Sequence, residues 1–229
     1  MAPVSWWLKV ALGLLMVVSI IELGFVTATV GWLHSTASKG FRFRSNTSTY
    51  QLAGIPSAFL VDQGHTSNGA AGTAFVLIGL GGIVALWIRS RIDYHSSNPA
   101  RFIYYLWLAL NVPALLLTAG ALGYVFYVTN ARRGQTIDVA LAAKLDGSPY
   151  TLGSWTPQNW FAAVLQLDLV GGRDDISSHL QIMTGWQYNL IPFLVVQLVE
   201  TVLAFMDFVR WRNSGGKNES WVIHNNDTA

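Results

Sequence analysis

Asn189-Leu-Ile-Pro-Phe-Leu-Val-Val-Gln-Leu-Val-Glu-Thr-Val-Leu-Ala-Phe-Met-Asp-Phe-Val-Arg-Trp-Arg212 decides the fold class. Its apolar part, residues 190–209, is long enough to cross a bilayer as a helix, at ~1.5 Å of rise per residue against a hydrocarbon core of ~30 Å. Arg210-Trp211-Arg212 closes it with an aromatic ring between two basic anchors, the usual chemistry of a membrane–water boundary. Glu200 lies near its middle.

Composition agrees with a chain solvated by lipid. Of 229 residues, 52% are hydrophobic and 11% are charged. Soluble domains carry about 25% charged residues, so this chain has too little charge to coat a water-facing surface. A formal net charge of +2 without a basic run gives no basis for a nucleic-acid partner. The absence of cysteine excludes disulfides, thiolate metal sites and a cysteine nucleophile.

Three further apolar stretches accompany the first, at residues 10–33, 70–88 and 102–128. The sequence therefore predicts an all-α integral membrane protein, a single membrane domain over 1–229 with four transmembrane helices. Outer loops are expected at 34–69 and 129–188, with a cytosolic tail at 210–229. The apolar run at 10–33 is longer than the ~7–15 residues of a signal-peptide core, and it reads as a retained anchor. Lys9, Arg89, Arg91, Arg101, Arg210, Arg212 and Lys217 flank the spans on one side, which puts both termini in the cytosol. Arg132 and Arg133 run against that bias. The orientation places the Asn46-Thr47-Ser48 sequon outside, making Asn46 a glycosylation candidate in a secretory-pathway or plasma membrane. Two more sequons begin at Asn218 and Asn226, in the expected cytosolic tail.

The two outer loops differ in character. Residues 34–69 are rich in Ser, Thr, Gly and Asn and predict little regular structure beyond one short strand or helical turn. In residues 129–188, Thr136 is a candidate cap for a helix to Leu145. Thr156-Pro157 starts a second helix that Gly171-Gly172 stops, and Asp174 or Asp175 starts a third that leads into the last span. That predicts a small helical cap, with Trp155, Trp160, Phe161 and Trp186 as interfacial anchors or a surface for a partner or lipid. The tail beyond Arg212 reads as disordered.

Polar residues inside the spans fall on narrow sectors. Asn189, Gln197, Glu200 and Asp207 share one face of the last span; Ser19, Glu22 and Thr29 share a face of the first; Tyr104, Asn111 and Thr118 recur every seven residues on the third. Gly72, Gly79, Gly81 and Gly82 would let neighbouring backbones approach. A mid-bilayer carboxyl costs ~2.5–3.5 kcal/mol on insertion scales, so these faces should turn inward. Glu22, Asn111, Gln197 and Glu200 form the candidate intramembrane polar site, read either as hydrogen-bonding glue between helices, as a proton or cation path, or as a pair of catalytic carboxyls. The histidines lack metal-ligand spacing, and no metal, cofactor or catalytic set is expected.

Four spans with cytosolic ends and a longer second outer loop resemble the plan of claudin-like, MARVEL-type and tetraspanin proteins. The outer-loop cysteines of claudin-like proteins and tetraspanins are absent here. Gly153-Ser154-Trp155-Thr156-Pro157-Gln158-Asn159-Trp160-Phe161 and Trp186-Gln187-Tyr188-Asn189-Leu190-Ile191-Pro192 are similar to stretches of fungal four-span membrane proteins that have no assigned activity. The resemblance covers the last third of the chain. The leading expectation is a non-enzymatic membrane organiser or accessory subunit, in contact with the bilayer and other membrane proteins. A small transporter or channel component using the intramembrane acids is the first alternative, and a membrane enzyme acting on a lipophilic substrate the second.

Overall fold

In the computed structural model, residues 3–92 and 100–226 are described, with side chains described through residue 214. His95 and part of the last sequon, Asp227-Thr228, lie outside them. The described chain is mostly helical, and four stretches are long and apolar enough to cross a membrane: Trp6–Lys39, Asp62–Arg89, Ala100–Asn130 and Arg173–Ser214. Helix α1 is Trp6–Ser35, α4 is Ala100–Asn130 and α7 is Arg173–Asn226. Pro113 and Pro192 lie inside continuous helices.

The second stretch is built from three pieces: α2 (Asp62–Thr73), a π-helical segment (Ala74–Leu80) and α3 (Gly81–Arg89). A π-turn widens the helix and disturbs the regular pairing of its carbonyls. Trp107 of α4 donates its indole N–H to the Ile78 carbonyl within that segment, at 3.0 Å and fully buried.

The residues group into two compact units. The first comprises residues 1–20, 70–119 and 191–229; the second comprises 21–69 and 120–190.

The all-α expectation needs correction in the second unit, which contains a three-stranded antiparallel sheet of order β2-β1-β3. Strands β1 (Phe41–Ser45) and β2 (Ser48–Leu52) form a hairpin, and β3 (Asp168–Leu169) pairs with β1. Phe41-Arg42-Phe43-Arg44 alternates with a period of two, so both Phe rings go inward and both Arg side chains outward. Asn46 begins the two-residue turn at φ 52°, a left-handed conformation that Asn tolerates better than most residues.

The second expected loop is more structured than a helical cap alone. Helix α5 (Val139–Leu145) is capped by Asp138, whose carboxylate accepts from the N–H groups of Ala140 and Leu141; Thr136 is not the cap. Helix α6 (Pro157–Val164) begins as the sequence predicts, with Thr156 accepting from Asn159 N–H and Pro157 at the first helical position. It ends well before Gly171-Gly172, because the chain leaves the helix to form β3. Helix α7 then starts at Arg173 and continues past Arg212 to Asn226, so the tail is helical where disorder was expected. Arg132 donates to the Val128 carbonyl and to Ser154 Oγ. A cation there complements the C-terminal end of α4, which accounts for a basic residue that ran against the flanking-charge bias.

The core of the second unit gathers Trp32, Phe41, Phe43, Leu52, Tyr150, Trp155, Trp160, Phe161 and Met183. Gly54 makes this closure possible: a Cβ there would stand 1.5 Å from the Ala37 carbonyl oxygen, a distance no side chain can occupy.

Candidate functional site: the polar seam

Buried positions on the long helices recur every three or four residues. On α7 they include Phe193, Gln197, Glu200, Ala204, Asp207 and Trp211; on α4 they include Tyr104, Asn111, Ala114, Thr118, Ala121 and Val125. This is the a/d seam of helices packed in left-handed fashion, and small side chains on it let backbones come close. Large apolar residues such as Leu116, Val195, Leu198 and Val202 point outward and remain exposed.

In the first unit, Thr118 Oγ1 donates to Gln197 Oε1, and the Tyr104 ring meets Trp211 edge-on at 5.3 Å. These contacts are fourteen residues apart on both helices (104 to 118, 197 to 211), so α4 and α7 run antiparallel in constant register. Glu200 is therefore level with residue 115, between Asn111 and Thr118. Asp207 lies at one end of the seam. Its carboxylate pairs with Arg89 Nε at 2.9 Å and accepts from the Ser5 backbone N–H at 3.1 Å. The Arg89 guanidinium lies over the Trp211 ring at 5.4 Å. Arg89, read from sequence as one of the cations flanking the spans, is thus the buried partner of an acid 118 positions later.

Glu200 differs from its neighbours. It is fully buried, and neither carboxyl oxygen has a hydrogen-bond partner among the described residues. Asn111 Nδ2 donates to the Trp107 carbonyl at 2.9 Å, but its Oδ1 is also without a partner, as are Gln197 Nε2 and Thr201 Oγ1. Four of the polar residues on this seam therefore keep unused hydrogen-bonding atoms away from solvent, which is costly unless another group meets them.

Glu22 belongs to the second unit, where its Oε2 accepts from Asn189 Nδ2 at 2.9 Å. The expected aromatic surface is corrected here as well. Trp155, Trp160, Phe161 and Trp186 are each at most 2% exposed, so their rings neither anchor the loop in lipid nor face a partner. They are held from within. Trp160 donates to the Gly54 carbonyl and Trp186 to Ser67 Oγ, at 2.8 and 2.9 Å, while Trp155 donates to the Leu152 carbonyl. Phe161 packs edge-on against Trp32 at 4.8 Å. The loop shares a core with Trp32, Phe41, Phe43 and Leu52, and large rings contribute most when they are inside it.

Sequence reading missed a chain of buried amides in the same unit. Thr129 Oγ1 donates to Gln63 Oε1, Gln63 Nε2 to Gln158 Oε1, and Gln158 Nε2 to the Met183 carbonyl. Asn159 Nδ2 donates to the Thr129 carbonyl at 2.8 Å. These bonds tie α2, α4, α6 and α7 together. Its one sequence signal was Gln158-Asn159 following the Thr156-Pro157 helix start, polar residues in an otherwise apolar segment. Among the described residues no group of three or more His, Asp and Glu side chains could hold a metal ion. His34 bonds to the Val30 carbonyl, and His179 stacks on Trp32 at 4.5 Å.

Comparison with family models, curated proteins and solved structures finds no match to this chain.

Proposed function

We propose that the chain is a multi-pass membrane protein that acts as a non-enzymatic organiser or accessory subunit, through the surface of its second unit. The supporting observation is the internal fixing of that unit. Its aromatic rings and amides bind one another, leaving a stiff body whose hairpin carries Arg42 and Arg44 outward. Stiff surfaces bind partners with little ordering cost. In this reading the second unit faces away from the cytosol in a secretory-pathway or plasma membrane, both termini are cytosolic, and Asn46 carries a glycan. Kinship with fungal four-span membrane proteins belongs to the same proposal.

The test is gentle purification from the native membrane followed by mass spectrometry of co-purifying proteins. A stoichiometric partner is expected, and Arg42→Glu/Arg44→Glu should lower its recovery several-fold while Glu200→Gln leaves it unchanged. The opposite ranking would overturn the proposal.

The unpartnered carboxyl of Glu200 favours a second reading, a small transporter or channel component. Glu200→Gln should then abolish proton or cation flux in proteoliposomes without loss of folded protein. Unchanged flux in that variant rules the reading out.

A further inference from the structure

Within the first unit, α1 packs tightly on one face of the second membrane-length stretch and diverges from the adjoining face. The tight side is set by glycines: a Cβ at Gly79 would lie 2.6 Å from Met16 Cγ, and one at Gly82 would lie 3.0 Å from Leu12. Beside this contact a crevice of about 390 Å³ opens between Val4, Lys9, Gly13 and Met16 on one wall and Ile83, Trp87 and Ser90 on the other. That volume falls in the ~300–1,000 Å³ range of small-molecule sites.

The crevice is amphipathic along its length. Leu12, Met16, Ile83 and Leu86 give it an apolar lining. Its end carries Lys9, and Trp87, 60% exposed, has the Arg91 guanidinium over its ring at 5.6 Å. No acid lines it among the described residues, and Asp207 in the same unit is already paired with Arg89. Two exposed cations at the end of an apolar slot, Lys9 on α1 and Arg91 in the turn that follows α3, complement a negatively charged head attached to a hydrocarbon chain.

We propose that this crevice binds an anionic glycerophospholipid, its headgroup phosphate between Lys9 and Arg91 and an acyl chain along Gly13, Met16 and Ile83. The proposal stands apart from the organiser reading, since it needs neither a partner protein nor a stated sidedness.

The probe is the full chain in phosphatidylcholine nanodiscs, titrated with phosphatidylserine brominated on its acyl chains. The difference in fluorescence quenching between wild type and Trp87→Phe isolates Trp87. Each Lys or Arg near a membrane surface is worth on the order of fivefold toward anionic lipid. Quenching by brominated phosphatidylserine should therefore be half-complete at roughly 20-fold lower mole fraction than quenching by brominated phosphatidylcholine. Lys9→Gln/Arg91→Gln should remove that preference. Gly13→Leu, at a position where an added Cβ meets nothing within 4 Å, puts a side chain into the slot and should also suppress quenching. Equal quenching by both lipids in wild type would overturn the proposal, as ordinary annular contact. So would a preference that survives either Lys9→Gln/Arg91→Gln or Gly13→Leu.

Discussion

Asp207→Asn is the sharpest perturbation of the seam. Arg89 and Asp207 are 2.9 Å apart, with side chains 1% and 2% exposed, so neither charge has water to fall back on. Removing one member of such a pair leaves the other buried without that partner's charge, at a cost of up to about 3–5 kcal/mol. For a chain of this size each kcal/mol moves the unfolding midpoint by about 2–4 °C, giving a drop of roughly 6–20 °C. Arg89→Met should cost a similar amount. The double variant Arg89→Met/Asp207→Asn removes both charges, and exchanging a buried pair for uncharged groups is often near neutral, so it should regain at least half of the single-variant loss. The carboxamide that replaces the Asp207 carboxylate can still accept from the Ser5 N–H. The assay is the midpoint of thermal aggregation in detergent, followed by fluorescence-detected size exclusion. Single variants that each stay within about 2 °C of wild type, or a double variant that loses the sum of the two, would refute a stabilising buried pair.

Other consequences concern the second unit. Gly54→Ala should prevent its closure, seen as rapid proteolysis within residues 34–69, because the new Cβ has no room beside the Ala37 carbonyl; Gly24→Ala, with nothing within 4 Å, should leave the digestion pattern unchanged. Gln158→Leu removes the acceptor for Gln63 Nε2, a loss of about 1–3 kcal/mol, and should lower thermal stability without changing expression. Asn46→Gln should remove a glycan-sized mobility shift and its sensitivity to an amidase that cleaves N-glycans; an unshifted wild-type band would show that the exposed hairpin turn goes unmodified.

Much of the frame of four long apolar helices was legible because its signals are local. A mostly apolar stretch of twenty residues marks a helix long enough to cross a membrane, and Gln197, Glu200 and Asp207 at helical spacing mark the face that turns inward. What escaped reading depends on distant partners. Phe41-Arg42-Phe43-Arg44 carried a strand pattern, but its turn is Asn46-Thr47 without the usual glycine, and β3 is too short to signal anything by itself. Arg89 resembled every other flanking cation because nothing near it in sequence points to Asp207. Trp160 and Trp186 looked interfacial because tryptophan favours membrane boundaries. Only the fold reveals that Gly54 and Ser67 supply their hydrogen-bond acceptors inside a core. Asp138 displaced Thr136 as the α5 cap for a related reason: Tyr150 OH accepts from the Asp138 backbone N–H and fixes where the helix begins.

The proposal to test most directly is that residues 34–61 and 131–172, which share one core, lie together on one side of a membrane crossed by the four apolar stretches. The cysteine-free chain permits a direct measurement. Single cysteines at Thr47, Ser148 and Asn213, all exposed positions, are labelled with a membrane-impermeant maleimide in sealed vesicles, before and after detergent. Thr47→Cys and Ser148→Cys should share one sidedness, and Asn213→Cys should show the other. Opposite sidedness for Thr47→Cys and Ser148→Cys, or all three reacting from the same side, would contradict the account.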